Sequence, residues 1–216
     1  MKIGIIDYGM GNLGSVLNAF RFLKLDAEII TAPAQMDACR AIILPGVGAF
    51  KECMQHLTEH GFIEPVCSWI KSGNPFMGMC LGLQMLFERS EESPGVAGLG
   101  IFAGTVKKFN FNAMAADGVP SSGELKIPQI GWNAVGQVQP DCPAFAGIVD
   151  NAWFYFVHSY YVLPADSAII AGTTDYGISY CSAVWKDNLF AVQFHPEKSQ
   201  SAGLQMMKNF VATNRE

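Results

Sequence analysis

The pentapeptide Gly78-Met79-Cys80-Leu81-Gly82 constrains this chain more than any other stretch. Before it runs the apolar Pro75-Phe76-Met77, read as the end of a buried strand. After it comes Leu83-Gln84-Met85-Leu86-Phe87-Glu88-Arg89, read as a helix with apolar positions on one face. A nucleophile flanked two residues away on each side by small residues, between a strand and a helix, is the nucleophile-elbow pattern, here with cysteine in place of serine. So sharp a turn puts the central residue in a strained backbone conformation, and the glycines let neighbouring backbone approach without a Cβ in the way. The thiol stands at a helix N-terminus, where free N–H groups and the helix dipole favour thiolate. The N–H of Leu81 points to where an oxyanion would form. Taken alone, the pentapeptide is equally compatible with a structural cysteine between two helix-packing glycines.

A second feature shifts that balance. Phe194-His195-Pro196-Glu197-Lys198-Ser199 follows the strand-like run Leu189–Phe194. His195 and Glu197 are two apart, so in extended backbone they share a side, and Pro196 stiffens the geometry. A carboxylate beside an imidazole orients the ring and selects its tautomer. The imidazole then serves as base to a thiol and as acid to a leaving group. Two halves of one device in a single chain favour a Cys-His-Glu triad of Cys80, His195 and Glu197.

The rest of the chain suits such a site. The 216 residues are half hydrophobic and only 15% charged, enough for a sizeable core within one domain over 1–216. A net charge of -5 argues against nucleic acid or an acidic membrane surface as partner. No apolar run approaches the roughly 20 residues of a membrane span. The chain opens straight into a strand with no signal-peptide pattern and reads as cytoplasmic. Its six scattered cysteines form no CxxC pair and are expected reduced.

Ile3–Ile6, Ala27–Ile30, Ala41–Leu44 and residues 75–79 read as strands; Leu13–Leu23, 50–59 and 62–72 read as helices. Strand–helix alternation with short connections implies an α/β fold, a mostly parallel central sheet flanked by helices. In such sheets, sites lie at the carboxyl ends of strands. The second half is more antiparallel in character, with strand-like runs at Ile101–Phe109, Ile127–Val135, Trp153–Val157, Ala168–Thr174, Tyr180–Trp185 and Leu189–Phe194. Residues 110–124, polar and Gly/Ser-rich, read as a surface loop, and Ser199–Val211 as a closing helix.

Other segments are weaker candidates. Gly9, Gly11 and Gly14 form a G-x-G-x-x-G after a strand, with Glu28 as the acidic residue a dinucleotide fingerprint requires. Glu28 lies inside a strand rather than at its end, which favours a tight strand–helix turn. Pro45-Gly46-Val47-Gly48 lacks the Lys-Ser/Thr of a phosphate loop and better suits a second oxyanion donor, its two glycines permitting a peptide flip. His56 and His60, spaced i, i+4, have no accompanying ligands and read as surface histidines. The aromatic run Phe154–Tyr161 reads as core strand, substrate wall or both.

The elbow GMCLGLQ, the FHPEK run, LPGVGAF and DYGMGN together resemble the class I (triad) glutamine amidotransferases. IPQIGWN and YFVHSYY resemble, within them, the glutaminase subunits of imidazole glycerol-phosphate synthases. The resemblance covers essentially the whole chain. It implies that Cys80 attacks the side-chain amide of L-glutamine and that His195, held by Glu197, protonates departing ammonia. It implies an oxyanion hole from Leu81 and Val47, and substrate binding by Gly48, Gln84, Ser159 and Tyr160. It further implies a heterodimer in which Asn12, Trp132 and Lys198 face a TIM-barrel cyclase subunit that receives the ammonia, with no cofactor or metal on this chain. A flip at Gly46–Gly48 would gate the activity. Two departures stand out: Gln129 where family members often have histidine, and a long 110–124 loop. Alternatives are a paralogue feeding another synthase, a solitary thiol hydrolase, and a glycine-loop nucleotide-binding module.

Overall fold

The structure, a computed structural model, describes residues 2–111 and 125–213. The loop expected at 110–124 therefore falls almost wholly outside the described residues.

The first half alternates as its sequence pattern requires. Strand β1 (Lys2–Ile6) leads to helix α1 (Leu13–Phe22), β2 (Ala27–Ile30), β3 (Cys39–Gly46), α2 (Phe50–Glu59), α3 (Ile63–Lys71) and β4 (Phe76–Cys80). Side chains alternate across each strand, so every apolar run feeds two cores. Ile3, Ile5, Ile43 and Met77 join Val16 and Phe20 of α1 on one face. Ile6, Ile42 and Leu44 join Phe50 and Leu57 of α2 and Val66 and Ile70 of α3 on the other. Each such side chain, buried completely, contributes about 1.5–3 kcal/mol.

The second half holds β6 (Phe102–Lys108), β7 (Gln129–Gln137), β8 (Ala152–His158), β9 (Tyr160–Pro164), β10 (Ile170–Asp175), β11 (Ser179–Lys186), β12 (Leu189–Val192) and α5 (Gln200–Thr213). All strands join one 12-stranded sheet, whose main order is β2-β1-β3-β4-β12-β11-β10-β7-β8. The strands β2, β1, β3, β4 and β12 are parallel, and pairing from β12 to β8 is antiparallel. The expected α/β fold with an antiparallel C-terminal portion is borne out. Insertion of β12 beside β4 brings Cys80 and His195 to the same carboxyl edge. No helix among the described residues is long and apolar enough to cross a membrane.

Some local expectations change. The helix expected through Arg89 stops after one turn: α4 is Leu81–Gln84, and Phe87–Ser90 is a strand, β5. Leu83, Met85, Leu86 and Phe87 are all buried, so the run has no solvated face for a surface helix. Phe87 pairs instead with Phe102 of β6, and Leu86 O accepts from Ile101 N and Phe102 N. A 3-10 turn, Ser167–Ile169, capped by Asp166, delays the strand expected from Ala168.

Candidate active site

Cys80 ends β4 with φ 55 and ψ −111, a conformation that costs a non-glycine residue about 1–3 kcal/mol and persists only where packing dictates it. The packing is visible at the two flanking glycines. A Cβ on Gly82 would lie 2.0 Å from Leu44 O, and one on Gly78 would lie 2.8 Å from Gly82 O. The elbow is pressed against β3, and Leu81 N begins the first turn of α4, where an N–H has no partner within the helix.

His195 reaches Cys80 from β12 by a different local route than expected. The strand ends at Val192, and Pro196–Lys198 forms a 3-10 turn rather than extended backbone. That turn sets His195 Nδ1 2.8 Å from Glu197 Oε1, with both side chains buried. Ser199 Oγ donates to His195 O at 2.6 Å and accepts from Tyr155 N at 3.0 Å, while His195 N donates to Tyr155 O at 2.9 Å. Burial works against the charged ring. Hydrogen bonding and charge from Cys80 and Glu197 outweigh it and hold His195 up at about 10. A protonated imidazole beside Cys80 is the partner a thiolate needs.

A cavity of about 390 Å³ opens at this edge, within the range of small-molecule sites. Cys80, Leu81 and His195 line it, and so do Val47, Gly48, Gln84, Ser159 and Tyr160 from the sequence reading. Asn12, Trp132 and Lys198 do not. Asn12 caps α1, its Oδ1 accepting from Ser15 N at 3.4 Å, and borders a narrow cleft behind His195 and Glu197. Trp132 is 40% exposed on β7 and meets the Tyr155 ring edge-on; Lys198 Nζ lies 5.8 Å from the centroid of that ring.

The Pro45–Gly48 turn differs in one respect. Only Gly48, at φ +99, uses glycine's conformational freedom; Gly46 is glycine because a Cβ there would lie 2.8 Å from Leu81 Cβ. The turn is held from below. Tyr8 hydroxyl donates to Pro45 O at 2.9 Å, and the Cys53 thiol donates to Val47 O at 3.5 Å.

The weaker candidates resolve into structure. Glu28 is paired with Lys2 at 2.7 Å, and Gly9 N donates to Asp7 Oδ1 in a tight turn. His60 Nδ1 donates to His56 O, the two rings stack, and no metal-holding group of His, Cys, Asp or Glu occurs among the described residues. Gln129 is buried, its Oε1 accepting from the Tyr180 hydroxyl at 2.9 Å.

A model of the family "Glutamine amidotransferase class-I" matches residues 4–214. The chain belongs to the class-I glutamine amidotransferases. It is similar, at 47% identity over 208 residues (96% of this chain and 98% of the relative), to the imidazole glycerol phosphate synthase subunit HisH of Syntrophotalea carbinolica. It is 46% identical over 213 residues to the protein of that name in Acinetobacter baylyi, covering 99% and 98% of the two chains. In fold it is similar to a solved glutamine amidotransferase (TM-score 0.73, 15% identity, 99% of both chains) and to PurLQS from Thermotoga maritima (TM-score 0.73, 14% identity, 98% of both chains).

Several residues of this candidate site escaped the sequence reading. Glu92 lines the cavity and accepts from Phe50 N at 2.8 Å; it sits in a polar run after an unforeseen strand, with no motif to mark it. His158 lines it too. Burial brings this ring down to about 4 and keeps it neutral, and its Nδ1 donates to Tyr160 O at 2.8 Å. Gln193, one residue inside the Phe194-His195 run, is fully buried beside the nucleophile. All six cysteines are free; burial pushes Cys53 and Cys142 up to about 11 and Cys181 to about 12, where they stay protonated.

The His195–Glu197 pair makes stability pH-dependent in a defined direction. A group raised above its unfolded value contributes fully below that value, about pH 6.5, and its contribution is lost as pH rises through about 10. Glu197→Gln removes part of the cause. Thermal melts should show the wild-type advantage over this variant largest near pH 6 and shrinking towards pH 10. An advantage that grows with pH would contradict the assignment.

Proposed function

We propose that this chain is the glutaminase subunit of an imidazole glycerol phosphate synthase, hydrolysing L-glutamine to glutamate and ammonia. The observation that carries the reading is the meeting of Cys80, His195 and Glu197 at one end of a cavity of substrate size. The thiolate of Cys80 attacks the side-chain carbonyl, and the oxyanion is met by Leu81 N–H and the Val47 turn. His195 gives its proton to the departing nitrogen, releasing ammonia and leaving a thioester. Neutral His195 then takes a proton from water, which attacks the thioester and frees glutamate and Cys80. Gln84, Gly48 and the backbone of Ser159 and Tyr160 hold the amino-acid end, and the Glu92 carboxylate suits its ammonium.

Ammonia passes to a TIM-barrel cyclase subunit. The relatives' names supply the synthase, and an apolar face supports the docking: Ile130, Trp132 and Trp153 are 63%, 40% and 59% exposed on the paired strands β7 and β8. Asn12 and Lys198 belong to the same docking role. No metal or cofactor enters the scheme.

The test is ammonia release from glutamine by the pure chain, with and without the cyclase subunit and its nucleotide ligand. Stimulation by about 5- to 150-fold, the usual span of coupling between sites, is expected. Glutaminase activity that ignores the cyclase would assign the chain to another synthase. No glutamine hydrolysis under either condition would overturn the reading.

A further inference from the structure

Gln193 is fully buried just beyond β12. The register that sets Val192 opposite Met79 carries Gln193 to the level of Cys80. Its backbone N–H donates to Ser182 O at 2.9 Å, and its side chain lies on the elbow. Nε2 is 3.8 Å from Cys80 Sγ, and Oε1 accepts from Gln84 Nε2 at 3.0 Å. Gln84 Nε2 also donates to Tyr160 O at 3.1 Å. A continuous line of polar contacts thus runs from the wall of the cavity to the sulfur.

The donor at Gln84 settles the orientation of the Gln193 amide: its oxygen must face Gln84, which leaves its N–H groups for the sulfur. A neutral thiol is a weak acceptor, whereas a thiolate is a charged one, so the same contact strengthens on ionisation. The N–H therefore acts on the thiolate more than on the neutral thiol.

We propose that Gln193 is a positioning residue for the nucleophile: its amide N–H holds the Cys80 sulfur and stabilises it as thiolate, while Gln84 holds Gln193. The proposal deepens the glutaminase reading and rests on it for its catalytic consequence. Its hold on the sulfur can be measured without glutamine or partner. If Gln193 served only to satisfy Gln84, its loss would weaken substrate binding and leave the thiol untouched.

Gln193→Met keeps the length of the side chain and removes the N–H. The primary readout is the rate at which iodoacetamide alkylates Cys80 at fixed pH, followed by the mass of the Cys80 peptide, with Cys80→Ala as background. A fall of about 10- to 100-fold is expected, the worth of one hydrogen bond to a charged group. In the glutaminase assay, kcat should fall by a larger factor than KM rises. Should the Met variant not fold, Gln193→Asn keeps a buried amide but draws it back from the sulfur, and the same fall is expected. A folded variant alkylated at the wild-type rate, or one in which only KM changes, would overturn the proposal. If wild-type protein releases no ammonia from glutamine, the glutaminase reading fails, and the alkylation rates still decide whether Gln193 holds the sulfur.

Discussion

Cys80→Ala should lower glutamine hydrolysis by at least about four orders of magnitude while leaving glutamine binding intact. In the proposed mechanism the reaction passes through a bond to that sulfur, and His195 and Glu197 have nothing to activate in its absence. What survives is orientation and the oxyanion donors acting on an unassisted water, a small residue of the whole. Alanine keeps a Cβ at φ 55, so the backbone strain of the elbow is unchanged and the fold is retained. Loss of chemistry can therefore be separated from loss of structure. Ammonia release with the cyclase present measures the first, and calorimetric titration with glutamine measures the second. Activity within tenfold of wild type would remove Cys80 from the mechanism.

Gly82→Ala should act on the fold. Its new Cβ would lie 2.0 Å from Leu44 O, an atom of a fully buried residue on a strand paired residue for residue with β4, which cannot retreat alone. A cost of about 3 kcal/mol or more is expected for this overpacking, which in a chain of this size lowers the melting temperature by about 6–12 °C. Gly14 provides the internal control. It lies in α1, and a Cβ there would have nothing within 4 Å, so Gly14→Ala should be neutral or raise stability by up to about 1 kcal/mol. Equal melting temperatures for the two variants would show that the elbow is looser than its contacts imply.

The parts of the fold that were legible in the sequence are those whose signal is local. Continuous apolar runs marked β1, β3 and β4, and helical spacing marked α1, α2 and α3, because burial on two faces and on one leaves different periods. The elbow around Cys80 was legible because a strained turn demands glycines within two residues of it. His195 and Glu197 were legible because they are two apart, although a 3-10 turn rather than extended backbone joins them. The rest depends on contacts across the chain. Nothing near Leu86 says that its carbonyl will accept from Ile101 and Phe102 and end a helix there. Glu92 carries no motif because its partner, Phe50 N, lies 42 residues away. Gly46 suggested a hinge, and nothing near it in the sequence tells that a Cβ there would also meet Leu81, just past the neighbouring strand.

The place of β12 has a consequence for how the chain is made. This strand lies in the middle of the sheet but comes near the end of the sequence, and Gln193 is 113 residues beyond Cys80. On the ribosome, the strand bearing the thiol emerges long before its neighbour, and until that neighbour arrives β4 is an open edge. The imidazole, its carboxylate and the amide at the sulfur all arrive together in the last segment. A partly synthesised chain therefore carries the nucleophile without its activation, and closing the sheet and arming the thiol are one event.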